Sequence, residues 1–263
     1  MNKRFALFSS WGNDSVALVQ LMYEHGLAEQ CYVVYTNTGW AAPYWAERVA
    51  RGMLWAESLG FDCIELSTMG FEQLCREQSD GGRFPSGRMK FCTRHLKIFP
   101  SVKWLNEVDP NHDLICLVGK RRAESFARSL APAVIPVSTN HDGRLLWHPL
   151  VEFSDESQNA MVLKTPMELL PHRSDECEPC IFSSREDLRR VTPEKVDIIR
   201  AMEQSSGRVL FRPRAYAGAV GIDEIMRWAW SERGQFKPAE TYIDDGDDGD
   251  QDDGTCDTGM CGG

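Results

Sequence analysis

Short apolar runs alternate with segments of helical periodicity in the first half of the chain, and this alternation constrains the fold more than any other feature. Phe5–Phe8 is an apolar run, and Ser15–Tyr23 then places apolar residues at helical spacing. Cys31–Tyr35 and Pro43–Leu59 repeat the order of strand and amphipathic helix. Strands that alternate with helices predict a doubly wound, mostly parallel α/β sheet.

The alternation continues as far as residue 127. Phe61–Leu66 and Asp113–Val118 predict a third and a fourth strand, and a helix-like segment follows from Gly119 to Ala127. In such a sheet, ligands bind outside the carboxyl ends of the strands. We therefore expect the functional residues in the loops at that edge.

The pattern changes beyond Pro149, where polar and mostly helical segments replace the strands. Pro193–Gln204 predicts a helix, because a Thr-Pro start signal opens it. From Glu240 to Gly263 there are nine acidic residues, no Lys or Arg, and few apolar residues. We expect an α/β domain over residues 1–150, a smaller helical subdomain over 151–238 and a disordered acidic tail over 239–263.

The formal net charge of −10 belongs largely to this tail, since the other residues carry 30 acidic and 29 basic side chains. A near-neutral body neither favours nor excludes nucleic acid as a partner. The apolar run Phe5–Phe8 ends at Ser9, which makes it too short for a signal peptide or a membrane span. We expect a cytoplasmic protein with no membrane partner.

The loop between the first predicted strand and helix has the pattern Ser-x-Gly-x-Asp-Ser, formed by Ser10, Gly12, Asp14 and Ser15. A loop in this place bends sharply and presents N–H groups and hydroxyls at a helix N-terminus, where phosphate oxygens bind. The alternative is an ordinary helix N-cap by Asn13 or Asp14. These residues alone do not decide between the two interpretations.

A second motif, Gly-Lys-Arg-Arg-Ala-Glu-Ser, occupies residues 119–125, after the fourth predicted strand. Arg121, Arg122 and the nearby Arg128 would lie at the strand's end and on the next helix, where guanidinium groups bind phosphate or sulfate in a bidentate manner. Positive charge at a helix N-terminus opposes the macrodipole unless an anion is bound. We therefore favour an anion clamp over a solvated basic helix start.

The nine cysteines are odd in number and irregular in spacing, which favours metal or redox chemistry over disulfides. Cys177 and Cys180 form a CxxC, whose sulfurs converge on one face of a metal, and a distant third cysteine would close such a site. Three unrelated thiols are the alternative. The cysteines of the predicted strands are expected in the core: Cys31, Cys63 and Cys116.

These motifs together resemble those of the phosphoadenosine-phosphosulfate-reductase-like group and the related ATP pyrophosphatases. Phe8–Ser15 resembles their pyrophosphate-binding loop, usually Ser-Gly-Gly-x-Asp-Ser, although Trp11 replaces one glycine and a Ser-aromatic-Gly start is common in the reductases. Thr36–Gly39 resembles the family's Asp-Thr-Gly segment, and Gly119–Ser125 its Gly-x-Arg-x-x-Glu-Ser motif. Arg88–Lys97 resembles its Cys-Thr-x-x-Leu-Lys segment.

The resemblance implies an adenine nucleotide site and a metal centre. In the family such cysteines often hold a 4Fe-4S cluster, which would here use Cys92, Cys177 and Cys180, with Zn2+ as the alternative metal. The same three cysteines and Asp14 are then the expected catalytic residues. The expected nucleotide-binding residues are Ser10, Gly12, Asn13, Asp14, Ser15, Thr38, Gly39, Lys97, Gly119, Arg121, Arg122, Glu124, Ser125 and Arg128. On composition alone, Lys97 is a surface charge on a helix.

The function that the resemblance favours is ATP-dependent sulfur transfer that forms AMP. Mg2+ would offset the charge of the ATP phosphates, and a sulfur donor would supply an adenylated acceptor, either a nucleic acid or a small molecule. A homodimer is a further expected partnership. One alternative is a reductase of adenylyl sulfate or phosphoadenylyl sulfate, although the reductases' Glu-Cys-Gly-Leu-His-like segment is lacking. Another is a non-catalytic nucleotide-binding module with a structural metal.

Overall fold

Six strands build one mostly parallel sheet in this computed structural model, which describes residues 3–78 and 81–239. In chain order the strands are β1 (Phe5–Phe8), β2 (Cys31–Asn37), β3 (Asp62–Ser67), β4 (Ile115–Val118), β5 (Val134–Ile135) and β6 (Leu146–Trp147). Across the sheet the order is β3-β2-β1-β4-β6-β5. The pair β5 and β6 is antiparallel, and the other pairs are parallel. The predicted α/β class is confirmed.

Helices connect several of the strands and continue after the sheet in the described part of the chain. They are α1 (Asn13–Glu24), α2 (Trp45–Ser58), α3 (Phe71–Glu77), α4 (Phe91–Thr93), α5 (Phe99–Val108), α6 (Asp155–Val162), α7 (Arg185–Leu188), α8 (Pro193–Ser206) and α9 (Gly221–Trp230). A π-helical turn, Arg94–Ile98, joins α4 to α5. The four predicted strands and the helices α1, α2 and α8 lie where the sequence places them, within a few residues.

The helix predicted from Gly119 to Ala127 is wrong. Two short 3-10 turns, Arg122–Glu124 and Phe126–Arg128, occupy the segment instead. Ser125 lies between the turns in an extended conformation, with φ −163° and ψ 160°, and this interrupts any helix. No helix dipole therefore opposes the arginines of this segment.

The strand β1 lies in the middle of the sheet and is buried on both faces. Its residues Phe5 and Leu7 join one hydrophobic cluster, while Ala6 and Phe8 join a second, as expected for side chains that alternate across a sheet. The first cluster includes residues of α1, α2 and α6, and the second includes residues of α5. Because the chain reaches β2 and β4 over opposite faces, the gap between β1 and β4 is the topological switch point, where such sheets bind ligands.

The cysteines Cys31 and Cys116 are fully buried, and Cys63 is partly buried against the first cluster. Burial raises the pKa of each of these thiols to about 12. They are core residues with little thiolate character at neutral pH.

The chain divides into two compact units that each combine separate segments. Of the described residues, the first unit contains 3–69 and 93–177, and the second contains 70–78, 81–92 and 178–239. The boundary predicted near residue 150 falls inside the segment Thr93–Cys177 of the first unit, where α6 packs against α1.

The second unit contains α3 and the helices α7, α8 and α9. Thr192 caps α8 by accepting a hydrogen bond from the Lys195 N–H at 3.3 Å, and Gly207 ends the helix in a left-handed conformation. The hydroxyl of Tyr216 donates to the carbonyls of Ile181 and Ser183, which fixes the chain after Cys180.

The predicted acidic tail lies outside the described residues except for Ala239. None of the helices in the described part of the chain is long and apolar enough to span a membrane.

Candidate functional site

The loop from β1 to α1 is folded by its own serine hydroxyls. The N–H of Ser10 donates to Ser15 Oγ at 3.0 Å, and the N–H of Gly12 donates to Ser10 Oγ at 3.3 Å. The N–H of Trp11 donates to Ser9 Oγ at 3.1 Å. The small polar residues of the motif therefore hold the sharp turn that the sequence predicts.

Trp11 explains how this loop departs from the glycine-rich pattern. It has a positive φ of 61°, a conformation that glycine adopts most readily. Its side chain is fully buried, and its ring lies so close to α2 that a Cβ on Gly52 would come within 2.3 Å of it. Arg48 Nε donates to the Trp11 carbonyl at 2.7 Å, and Trp45 Nε1 donates to the Ser10 carbonyl at 3.2 Å. The indole anchors the loop to α2.

The first turn of α1 has no side-chain cap. Gly12 occupies the N-cap position. The side chain of Asn13 instead exchanges two hydrogen bonds with the backbone of Leu170, and Asp14 binds Arg121. The alternative of an ordinary N-cap by Asn13 or Asp14 is therefore wrong. The helix end keeps its positive polarity, which attracts anions.

Asp14 and Arg121 form a buried ion pair at the topological switch point. Arg121 Nε lies 2.5 Å from Asp14 Oδ1, and a second guanidinium nitrogen lies 2.8 Å from Asp155 Oδ1. Burial raises the pKa of Asp14 above its usual value, against the opposing effect of Arg121. The pair joins the start of α1 to the loop after β4.

Gly119 allows the end of β4 to approach the start of α1 closely. A Cβ at Gly119 would lie 2.9 Å from the carbonyl oxygen of Asp14 and 3.0 Å from its carbonyl carbon. Only glycine lets β4 end so close to the start of α1. Gly119 thus has a steric role that the motif alone does not reveal.

Each arginine of the predicted anion clamp has a carboxylate partner. Arg128 pairs with Glu124 where both side chains are buried, and Arg122 pairs with Glu152 near the surface. Burial raises the pKa of Glu124, despite the opposing charge of Arg128. An anion that binds here would share the guanidinium groups with these carboxylates. The anion clamp therefore stays a prediction.

Two buried polar atoms in these loops lack a hydrogen-bond partner within the described residues: Ser125 Oγ and Trp11 Nε1. Buried polar groups are nearly always paired, so an orphan needs an explanation. Both belong to motifs that the sequence assigns to nucleotide binding. The Trp11 indole is enclosed against α2, so only the unpaired Ser125 Oγ, in the loop after β4, is consistent with a ligand site between the carboxyl ends of β1 and β4.

The loop after β2 is tied to a charged pair in the protein interior. Thr38 is buried and donates from Oγ1 to the Glu176 carbonyl at 3.3 Å, and Gly39 has a positive φ of 64°. Lys97 Nζ lies 2.7 Å from Glu176 Oε2, with both side chains about 5% exposed or less. The expectation from composition, that Lys97 is a surface charge, is wrong because the π-helical turn points it into the unit.

A cavity of about 390 Å³ lies beside this loop, between the ends of β2 and β3 and the helix α2. Its apolar lining comes from four alanines and two larger residues: Ala41, Ala42, Ala46, Ala50, Val49 and Met53. Tyr35, Asn37 and Glu65 add polar groups, and Asn37 Nδ2 donates to Glu65 Oε1 at 3.0 Å. The cavity suits a planar group with a polar edge.

Among the described residues, the predicted metal ligands Cys92, Cys177 and Cys180 do not form a metal-binding group. Within residues 3–78 and 81–239, no three His, Cys, Asp or Glu side chains form a group that could hold a metal ion. The described residues therefore do not fit a three-thiolate cluster site, and the cluster stays a prediction of the sequence.

Sequence reasoning missed several residues that hold this site: Trp45, Arg48, Glu152, Asp155, Asp175 and Glu176. They lie outside every motif, and a polar residue that will be buried looks the same in the sequence as one that stays in solvent. The pairing of the site's charges is visible only in three dimensions.

The chain also matches known proteins. The model of the phosphoadenosine phosphosulfate reductase domain matches residues 4–171. No curated protein sequence matches the chain.

Solved structures with a similar fold include phosphoadenylyl-sulfate reductase from Candida auris, at 12% identity and a TM-score of 0.44, covering 64% of this chain and 75% of that one. NMN synthetase from Francisella tularensis has 12% identity and a TM-score of 0.46, covering 87% and 84%. NH3-dependent NAD synthetase from Campylobacter jejuni has 12% identity and a TM-score of 0.41, covering 79% and 85%. The domain match spans more than half of the chain, so this protein belongs to the phosphoadenosine phosphosulfate reductase domain family.

Proposed function

We propose that this chain binds ATP at the carboxyl edge of its sheet and uses it for AMP-forming sulfur transfer. The observation that carries the proposal is the uncapped first turn of α1, which follows a serine-lined loop at the switch point. Backbone N–H groups at such a helix end bind phosphate oxygens, and the helix dipole favours their charge.

The charges around the loop suit a phosphate group with a cation. Arg121 is paired with Asp14 and Asp155, and Arg128 is paired with Glu124, so carboxylates already offset the guanidinium charges before a ligand binds. The charge of a triphosphate would need a cation, and Mg2+ binds through phosphate oxygens and one or two carboxylates. Asp14 is the carboxylate nearest the loop and would be the protein ligand of Mg2+.

The cavity beside β2 would take the nucleoside. Its alanine-rich wall would pack on the face of adenine, while Asn37 and Glu65 would meet polar atoms at the edge of the base or the ribose. Because the cavity and the phosphate loop both lie at the carboxyl edge of neighbouring strands, one nucleotide would occupy both.

In the proposed reaction an acceptor oxygen attacks the α-phosphate of ATP, and pyrophosphate leaves. A sulfur nucleophile at the oxidation level of sulfide then displaces AMP from the adenylated acceptor. Adenylation turns a poor leaving oxygen into a good one, and the site's arginines would stabilise the charge that develops on the phosphate. The acceptor is a nucleic acid, a nucleotide or another small molecule.

Reduction of adenylyl sulfate or phosphoadenylyl sulfate is a second candidate. It is favoured by Trp11, since a Ser-aromatic-Gly loop start is common in the reductases, and by the family match. Both reactions use the same nucleotide site. Product analysis of the wild-type protein would separate them: release of pyrophosphate from ATP supports sulfur transfer, whereas release of sulfite from adenylyl sulfate with a thiol reductant supports reduction.

The proposed nucleotide site is tested with Gly12→Val. A Cβ on Gly12 would already lie 2.9 Å from Ser174 Cβ, so valine displaces the loop from its bound geometry. Losing one hydrogen bond to a charged phosphate is worth about 1.5–3 kcal/mol, so we expect ATP affinity to fall about tenfold or more. Calorimetric titration measures this, with far-UV circular dichroism to show that the variant is folded. Unchanged affinity in a folded variant would refute the placement of the phosphates.

The 4Fe-4S cluster that the sequence predicts is tested separately, and no step of the proposed reaction depends on it. Cluster binding predicts iron and acid-labile sulfide in anaerobically purified protein, and loss of most iron in each Cys→Ser variant of Cys92, Cys177 and Cys180. Stoichiometric zinc without labile sulfide would support a zinc site instead. Absence of both metals would refute a shared metal centre.

A further inference from the structure

The second unit contains a cavity of about 280 Å³ with an aromatic wall, called the aromatic cavity below. Its rings are those of Phe182, Tyr216 and Trp228, of which Tyr216 lies in a 3-10 turn and Trp228 on α9. Every described residue that lines the cavity belongs to this one unit. Ligand sites usually have volumes of about 300–1,000 Å³, so a cavity of this size suits a single ring system.

The aromatic wall is held in place by contacts within the unit. Trp228 meets Tyr216 edge to face, with ring centroids 5.2 Å apart and planes at 89°, and Phe211 packs against Tyr216 at 5.3 Å. The hydroxyl of Tyr216 already donates to two backbone carbonyls, so its ring offers the cavity an apolar surface. A planar ligand can therefore bind without first ordering these side chains.

Basic side chains accompany the rings of the aromatic cavity. Lys90 Nζ lies 5.2 Å from the centroid of the Phe182 ring, and Arg185 Cζ lies 4.2 Å from that of Trp228. Arg212 lines the cavity itself, whereas no Asp or Glu is among its described lining residues. Arg185 is held by the carbonyl and hydroxyl of Ser231, which are both neutral. A ligand in this cavity would thus meet aromatic surface and positive charge together.

The formal charge of the whole second unit has the same sign. Its described residues include 15 Lys and Arg against 11 Asp and Glu, a net charge of +4. The described residues of the first unit include 14 Lys and Arg against 18 Asp and Glu, a net charge of −4. The near-neutral body is therefore the sum of two units of opposite charge. An excess of bases across a unit favours a ligand with several phosphates over one with a single phosphate.

We propose that the second unit binds a single-stranded nucleic acid, with one base in the aromatic cavity and the neighbouring phosphates near Arg185 and Arg212. Proteins hold unpaired strands in this way, because bases stack on aromatic rings while basic groups follow the backbone. A double helix keeps its bases stacked on each other and would not fill the cavity. The role of the bound strand as the sulfur acceptor rests on the proposed function, whereas its binding does not.

The first test is titration of the full chain with a fluorescein-labelled oligothymidine strand of about 12 nucleotides, followed by fluorescence anisotropy without ATP. We expect Trp228→Ala to raise the Kd about tenfold, since the base loses its stacking surface. Trp230→Ala is the matched control, because Trp230 lies on the same helix, is 66% exposed and is not among the described residues that line the cavity. Its Kd should change by less than about twofold. Equal losses in the two variants would overturn the cavity as the site of the base.

A second pair of variants keeps the test independent of the aromatic packing. Arg212 lines the cavity, whereas Arg214, two residues further on, is exposed and is not among the described lining residues. We expect Arg212→Gln to make the slope of log Kd against log salt smaller by about 0.7, because one phosphate contact is lost. Arg214→Gln should leave the slope unchanged. A weaker Kd with an unchanged slope in Arg212→Gln would show a structural role and overturn the phosphate contact.

Competition experiments identify the source of the base. We expect unlabelled strand to displace the labelled one at concentrations at least about tenfold lower than AMP or a duplex of the same length, because only the strand offers both a free base and several phosphates. Equal competition by AMP would assign the cavity to a free nucleotide, and equal competition by the duplex would exclude a base in the cavity. Failure of the strand to bind at low salt would refute the proposal. Strand binding in a protein that calorimetry shows not to bind ATP would contradict the proposed function and leave this site in place.

Discussion

Gly119→Ala is expected to weaken ATP binding about tenfold or more, because the loss of one hydrogen bond to a charged phosphate is worth about 1.5–3 kcal/mol. The added Cβ would meet the backbone of Asp14 at 2.9 Å, and backbone atoms cannot turn aside as a flexible side chain can. Either α1 or the end of β4 must move. Overpacking of this kind also costs about 1–3 kcal/mol in the free energy of unfolding. Calorimetric titration with ATP and urea unfolding measure the two effects.

Gly143→Ala is the matched control for this variant. An added Cβ at Gly143 meets no atom within 4 Å, but its positive φ of 80° makes alanine strained there. We expect Gly143→Ala to lower stability without changing ATP affinity. Equal loss of ATP affinity in both variants would mean that the binding defect follows stability and not the contact between β4 and α1.

Arg121→Ala is expected to lower the free energy of unfolding by about 3–5 kcal/mol at pH 7, as is typical when one partner of a buried ion pair is removed. The cost arises because Asp14 is left buried as an uncompensated carboxylate, since its side chain is about 10% exposed. Asp155, the other partner of Arg121, is 70% exposed and stays in solvent. Urea unfolding of wild type and variant gives the difference.

The pH dependence of this variant has a definite sign. The pKa of Asp14 is already raised by burial, and removal of Arg121 takes away the largest opposing effect. A carboxyl with a raised pKa in the folded state contributes stability below its unfolded pKa of about 3.8, and this contribution is lost as the pH rises through the folded value. The loss of unfolding free energy caused by Arg121→Ala should therefore become smaller as the pH falls towards 4. Asp14→Asn combined with Arg121→Ala should recover part of the loss at pH 7.

Arg122→Ala controls for the removal of an arginine from the same loop. Its pair with Glu152 is exposed, with side chains 37% and 71% accessible, so the change should stay below about 1 kcal/mol. A loss as large as that of Arg121→Ala would show that the loop, and not the buried pair with Asp14, determines the effect.

The sheet could be predicted from the sequence because its signals are local. Strands β1 to β4 are short apolar runs, and α1, α2 and α8 have helical spacing or a clear start signal. The serine-rich loop after β1 lies where the motif places it. These features depend on residues within about one turn or one strand of each other.

The geometry of the candidate site could not be predicted, because it depends on ion pairs between residues that are distant in sequence. Asp14 and Arg121 are 107 residues apart, and Lys97 and Glu176 are 79 residues apart. Composition does not distinguish buried charges of this kind from surface charges, and it therefore predicts Lys97 in solvent. The sequence predicts a helix after β4, whereas the structure has two short 3-10 turns there, and the arginines of these turns pair with carboxylates.

The central claim is that a nucleotide binds with its phosphates on the loop between β1 and α1. A crystal structure of the full chain with Mg2+ and a non-hydrolysable ATP analogue tests it most directly. We expect phosphate oxygens within hydrogen-bond distance of the N–H groups in the first turn of α1, and the base in the cavity lined by Tyr35 and Asn37. A nucleotide bound away from this loop, with the first turn of α1 still free of ligand, would contradict the account.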